Sequence, residues 1–300
     1  MGENEVDVRG SLTGVLPPVV TPFDKAGNID FGCLREQIDF IVEAGCTGIV
    51  IGGSTGEGHT LNSEDFCELM EAAHEALNGR GSLLAGLIVN STKEAIDRLK
   101  RIEGMKVDAL QVTPVHYLFK PGPDATVSHF KKIAEHTPVP LLIYNVIQWN
   151  YLSVDLMLRI MDEVPGVIGM KQSNGDLKSV SDLLLRKKSE NVVLTGIDGL
   201  LYPAFMLGVD GAITALTAAV PGLVVKLWKA VQNGDHRQAR EIHFRLAKLW
   251  NSMTHDNLPA CTKYVQHRQG LKLSFPRAPM EEVSAEQKRS MDAALDEIGL

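Results

Sequence analysis

A lysine closes the apolar run Val167-Ile168-Gly169-Met170 at Lys171, and a tyrosine closes Pro140-Leu141-Leu142-Ile143 at Tyr144. A third run, Gly48 to Ile51, opens into Gly52-Gly53-Ser54-Thr55-Gly56-Glu57. An amine, a phenol and a hydroxyl-bearing turn at the ends of three strand-like segments are the equipment for Schiff-base chemistry. A lysine nucleophile works as the neutral amine, a form that burial in a dry site favours. Condensation with a 2-oxo acid gives an iminium, an electron sink that permits carbon–carbon cleavage or formation, or loss of water, at the neighbouring carbons. That chemistry requires neither cofactor nor metal. Tyr144 is the candidate proton relay, because a phenol near a cationic amine can donate and accept. The glycines around Ser54 and Thr55 permit a tight turn with several backbone N–H groups aimed at one point, a nest that suits a carboxylate. Glu57 is read as a brace for that turn, since a carboxylate facing the anion would repel it. Each residue also has a plainer reading. The lysine could reach water along its methylene stem, the tyrosine could be core, and the turn could be an ordinary βα loop. Their convergence at the strand ends of one barrel is what favours chemistry.

Such convergence needs a scaffold, and the chain supplies one. Short β-rich runs alternate with amphipathic helical stretches from about residue 14 to residue 234, with no Pro/Ser/Gly linker between them. Strands are expected near 14–21, 48–53, 83–89, 109–113, 140–146, 167–172, 192–197 and 211–216. This series predicts an α/β fold, a (β/α)8 TIM barrel, whose usual size is about 250 residues. A doubly wound open sheet is the alternative, but no GxGxxG opens the first helix; the first strand runs into Val20-Thr21-Pro22-Phe23. Phe66 to Leu77 and Val224 to Val231 read as core-facing helices. From Asp235 the strand signal gives way to helical patterns over His236 to Trp250, Asn257 to Gln269 and Ser284 to Ile298. The expected organisation is a catalytic barrel at 1–234 and a C-terminal helical region at 235–300. In such a barrel the active site lies at the C-terminal ends of the strands. Strands 5 and 6 would be neighbours at about 4.8 Å, which brings Tyr144 and Lys171 within side-chain reach. Alternation from an inward Lys171 also points Gly169 and Val167 inward, with Gly169 leaving room beneath the amine.

The composition limits the partners. The chain has 300 residues, 44% of them hydrophobic, and a formal net charge of −7. Without a lysine/arginine-rich block, that charge argues against nucleic acid or an anionic membrane as the main partner and favours a small metabolite. Cys33, Cys46, Cys67 and Cys261 show no CxxC spacing, and the 9 histidines include no HExxH, so neither a disulfide framework nor a metal site is expected. The acidic N-terminal stretch and the absence of an apolar run of about 20 residues predict a cytoplasmic protein.

At these residues the chain resembles the dihydrodipicolinate synthase and N-acetylneuraminate lyase superfamily of class I, pyruvate-dependent aldolases. Gly52 to Glu57 matches its carboxylate-binding turn, Tyr144-Asn145-Val146 its catalytic tyrosine motif and Gly169-Met170-Lys171 its Schiff-base lysine. The resemblance implies a TIM barrel with a C-terminal helical region, assembled as a homotetramer. It also implies that Gly53, Ser54 and Thr55 hold the oxo-acid carboxylate, with the Thr55 hydroxyl continuing the relay from Tyr144. Three departures bear on the substrate. His116 falls where the family offers a tyrosine across a subunit interface, with Tyr117 one residue late, so His116 is a candidate acid/base group. Trp149 stands where dihydrodipicolinate synthases carry an arginine for the aldehyde's carboxylate, and an indole cannot replace that ion pair. Asp198 matches a sugar-contacting acid of the lyases, but Gly199 and Ala215 replace the glutamate and serine beside it. The leading expectation is a Schiff-base aldolase or lyase on pyruvate or a related 2-oxo acid, with an aldehyde as second substrate and a reaction other than dihydrodipicolinate synthesis. An aromatic or apolar aldehyde, or a deoxy-sugar acid stacked on Trp149, would suit the second site. A dehydratase or deaminase using the same iminium and a non-catalytic metabolite-binding barrel are the alternatives.

Overall fold

The computed structural model describes residues 8–115 and 117–300. Eight parallel strands follow one another in the order expected of a barrel: β1 (Gly14–Val15), β2 (Gly48–Ile51), β3 (Ser82–Leu87), β4 (Ala109–Val112), β5 (Leu141–Asn145), β6 (Val167–Gln172), β7 (Val192–Thr195) and β8 (Gly211–Ala212). The sheet runs from β2 through β8 to β1. It closes beyond β1, where the Val19 amide donates to the Val50 carbonyl and Val50 donates to Pro17, both at 2.9 Å. The ring is a (β/α)8 barrel.

Two apolar layers hold it. Leu16, Val50, Leu84, Ala109, Leu142, Leu194 and Ile213 fill the barrel interior, whereas alternate residues such as Ile49, Leu83, Leu110 and Ile143 join the larger cluster against the helices. Both faces of each strand are therefore dry, which explains near-continuous apolar runs where a one-sided sheet would alternate. The intervening helices begin at side-chain caps. Asn62 accepts from the Glu64 and Asp65 amides at 2.8 Å, and Ser153 accepts from Leu156 at 3.2 Å.

One expectation fails at β6. The pairing with β5 slips between Leu141 and Leu142, so that Leu141 faces Val167 and Leu142 faces Gly169. The extra residue, Ile168, packs on the barrel interior and Val167 on the outer layer. Strict alternation backward from Lys171 thus breaks at a bulge. Gly169 keeps its expected inward place, paired with the interior Leu142, and a β-carbon there would collide with the Val192 carbonyl on β7.

After β8 come the helices Ala215–Ala219 and Pro221–Gln232, then His236–Met253, Leu258–Arg268 and Ala285–Ile298. His236–Met253 packs between Pro221–Gln232 and Ala285–Ile298, and Leu258–Arg268 lies on Ala215–Ala219. Among the described residues, no helix is long and apolar enough to cross a membrane.

Candidate active site

Tyr144 and Lys171 are direct register partners on β5 and β6. Both are buried, at 4% and 5% exposure. The Lys171 Nζ sits 4.0 Å from the centre of the Tyr144 ring, and the phenol donates to Ser54 Oγ at 3.2 Å. An amine, a phenol and a hydroxyl from three different strand ends thus form one continuous polar cluster above the apolar barrel interior. Gly196, after β7, makes the room: a β-carbon there would lie 2.8 Å from Lys171 Cε and collide with Ser173 Oγ.

The hydroxyl that accepts from the phenol here belongs to Ser54. Thr55 is half-buried beside it. The turn itself is shaped by close backbone approaches. Gly52 adopts φ +70°, and a β-carbon on Gly86 of β3 would lie 2.5 Å from the Gly52 carbonyl. Gly53 is buried, and its carbonyl accepts from the Gly58 amide at 3.0 Å. Thr21 Oγ1 donates to the Gly56 carbonyl at 2.6 Å.

Glu57 faces away from the cluster and braces the turn from behind. It holds a left-handed backbone, φ 55°, and is wholly buried. Its Oε1 takes the Lys263 ammonium at 2.5 Å, and its Oε2 accepts from the Arg277 amide at 2.9 Å. Lys263 is itself 2% exposed, and burial pulls its pKa below the usual lysine value against the attraction of Glu57.

Asp198 lies in the turn after β7, buried and close enough to Lys171 to feel its charge. Its Oδ1 accepts from the Leu216 amide at 2.6 Å. Burial lifts its pKa from 3.8 to about 6, outweighing the bonds and the nearby lysine that pull it down. Trp149 occupies the turn Gln148–Asn150 directly after β5, its indole 63% exposed at the barrel mouth. His116 lies outside the described residues. Its neighbours Tyr117, Leu118 and Phe119 are 69%, 70% and 82% exposed.

A positioning device behind the cluster escaped the sequence reading. Asn145 and Gln172, the residues after Tyr144 and Lys171, are again register partners but point to the opposite face. Asn145 Nδ2 donates to Gln172 Oε1 at 3.0 Å, Asn145 Oδ1 accepts from the Leu152 amide at 2.8 Å, and Gln172 Nε2 donates to Ser179 Oγ at 3.3 Å. This buried chain clamps β5 to β6 just where phenol and amine must meet. The visible signal was a polar residue immediately after each candidate. Among the described residues, no group of three or more His, Cys, Asp or Glu side chains is arranged to hold a metal ion.

An eight-stranded parallel barrel with a buried lysine at the mouth end of β6 defines the class: a lyase of the class I aldolase kind. Its family follows from comparison. Residues 11–298 match the dihydrodipicolinate synthetase family, and the chain belongs to that family. It is 34% identical to a 4-hydroxy-tetrahydrodipicolinate synthase of Dechloromonas aromatica, over 96% of this chain and 99% of the relative. It is 33% identical to one of Methanocaldococcus jannaschii, with 96% and 99% covered. A solved dihydrodipicolinate synthase of Acinetobacter baumannii complexed with pyruvate superposes with a TM-score of 0.90 at 28% identity, covering 96% of this chain and 99% of that one.

Proposed function

We propose that this chain forms a Schiff base between Lys171 and pyruvate or a related 2-oxo acid, and uses it for an aldol reaction with an aldehyde other than that of dihydrodipicolinate synthesis. The observation that carries this reading is the Lys171 amine lying 4.0 Å over the Tyr144 ring, with the phenol donating to Ser54. The Lys171 amine attacks the C2 carbonyl, the C2 oxygen leaves as water, and the iminium gives a C3 proton to the Tyr144–Ser54 relay to form an enamine; the alkoxide formed as the enamine attacks the aldehyde takes that proton back. Tyr144 passes protons between the C2 oxygen and Ser54, while Gly53, Ser54 and Thr55 hold the carboxylate. Hydrolysis of the product iminium frees the lysine. The pyruvate complex of the Acinetobacter baumannii synthase supports the choice of 2-oxo acid.

Trp149 supports the departure in second substrate. Its indole at the barrel mouth offers a stacking face and no positive charge. An aromatic or apolar aldehyde, or a deoxy-sugar acid, fits that surface better than an aldehyde carrying a second carboxylate. The exposed run Tyr117-Leu118-Phe119 supports a homo-oligomer, a tetramer on the family's pattern.

Borohydride reduction in the presence of pyruvate, with intact mass and peptide mapping, tests the imine. An adduct on Lys171 that vanishes in Lys171→Ala is the expected result. No adduct with pyruvate or with longer 2-oxo acids would sink the proposal. Release of pyruvate together with an aldehyde distinguishes aldol cleavage from dehydration, and turnover of aspartate semialdehyde at rates above every other aldehyde in a panel would refute the assigned second substrate.

A further inference from the structure

Gln111 on β4 has no part in the chemistry above. It is 0% exposed, and among the described residues neither its amide nitrogen nor its amide oxygen has a hydrogen-bond partner. It pairs in register with Gly86 of β3 and Leu142 of β5, and Ala109, two residues earlier, belongs to the interior layer. Its side chain therefore points into the barrel, as do Leu142 and, two residues on, Tyr144. The amide nitrogen lies 3.9 Å from the position that a β-carbon on Gly53 would take. That places it against the turn that presents Ser54 and Thr55. Buried polar groups in native proteins are nearly always paired, because leaving one unpaired forfeits its hydration without return. An apolar residue at this strand position would pack without that cost, as Leu84 and Ala109 do in the layer below.

We propose that Gln111 is a specificity-determining residue for the 2-oxo acid, its amide N–H donating to the substrate carboxylate held in the Gly53-Ser54-Thr55 turn. The carboxylate would give the orphaned amide a charged acceptor at a buried position, where such a bond is strong. Gln111 does no chemistry; it sets affinity for an acid over a neutral ketone. This rests on the reading of Lys171 as the imine-forming residue, and one experiment separates the two.

The full-length wild type, Gln111→Met and Gln111→Leu are titrated with pyruvate in the borohydride trap, and each is melted without pyruvate. The half-saturating pyruvate concentration should rise roughly ten- to a hundredfold in both variants, with full trapping at saturation and a Tm at or above that of the wild type. Unchanged half-saturation in either folded variant overturns the proposal, as does a lowered Tm with unchanged half-saturation, which would mark Gln111 as structural. Absence of any adduct in the wild type, with pyruvate and with longer 2-oxo acids alike, would overturn the Lys171 reading, and this one with it.

Discussion

Replacing Asp198 by Asn should change how stability depends on pH, and by an amount that can be worked out. Burial holds the Asp198 carboxyl at about 6 in the folded protein, against 3.8 for an ordinary aspartate. The fold therefore favours the protonated acid. The stability tied to this group is fully present below pH 3.8 and is lost as pH rises towards 6, after which the loss stays constant. Two pKa units at roughly 1.4 kcal/mol each put the loss at about 3 kcal/mol. Asn cannot ionise, and its side-chain oxygen still accepts from the Leu216 amide. Urea denaturation of both proteins at several pH values is the assay. Shifts of groups that do not feel Asp198 cancel in the difference, so Asp198→Asn should gain about 2–3 kcal/mol relative to wild type between about pH 4 and about pH 8. Parallel pH profiles would refute the reasoning, because they would mean that Asp198 is ionised in the fold as readily as in the unfolded chain.

Three further outcomes follow from the site. Ser54→Ala should lower kcat by roughly a hundredfold through loss of the relay partner, whereas Thr55→Ala should chiefly raise KM for the 2-oxo acid; steady-state kinetics with the two effects reversed would return the relay to Thr55. Lys263→Met should destabilise the protein by about 3–5 kcal/mol by stranding the buried Glu57 carboxylate, and adding Glu57→Gln should restore part of that loss in denaturant titrations; a Lys263→Met protein as stable as wild type would disprove the brace. Gly196→Ala should displace Lys171 and cut borohydride trapping sharply while leaving circular dichroism unchanged, and wild-type trapping would contradict the packing described.

The barrel and the convergence of its strand-end side chains were legible because each is written locally. Eight apolar runs punctuated by turns announce parallel strands, and a lysine or tyrosine closing such a run is conspicuous. What stayed hidden depends on how neighbouring strands register. The bulge that turns Ile168 inward and Val167 outward arises from the fit of β5 to β6, and no spacing within either strand reports it. The same holds for Ser54 against Thr55: the residue types fit either role, and only the folded turn shows which hydroxyl faces Tyr144. Gln111 was visible as a lone polar residue in Ala109-Leu110-Gln111-Val112, a signal the sequence reading passed over. Asn145 and Gln172 were similarly in view, but as a pair they exist only through the strand alignment.

The bracing of Glu57 has a consequence for how the protein is made. The turn proposed to hold the substrate anion leaves the ribosome early, while the two supports of its Glu57, Lys263 and the Arg277 amide, lie 206 and 220 residues further along. All eight strands have been synthesised by Ala212, yet at that moment Glu57 would be an unneutralised anion wherever the nascent barrel tried to enclose it. A complete set of strands is therefore not yet a working enzyme. A message interrupted between the codons for Ala212 and Lys263 would yield every strand of the barrel without the partner that neutralises Glu57 behind that turn.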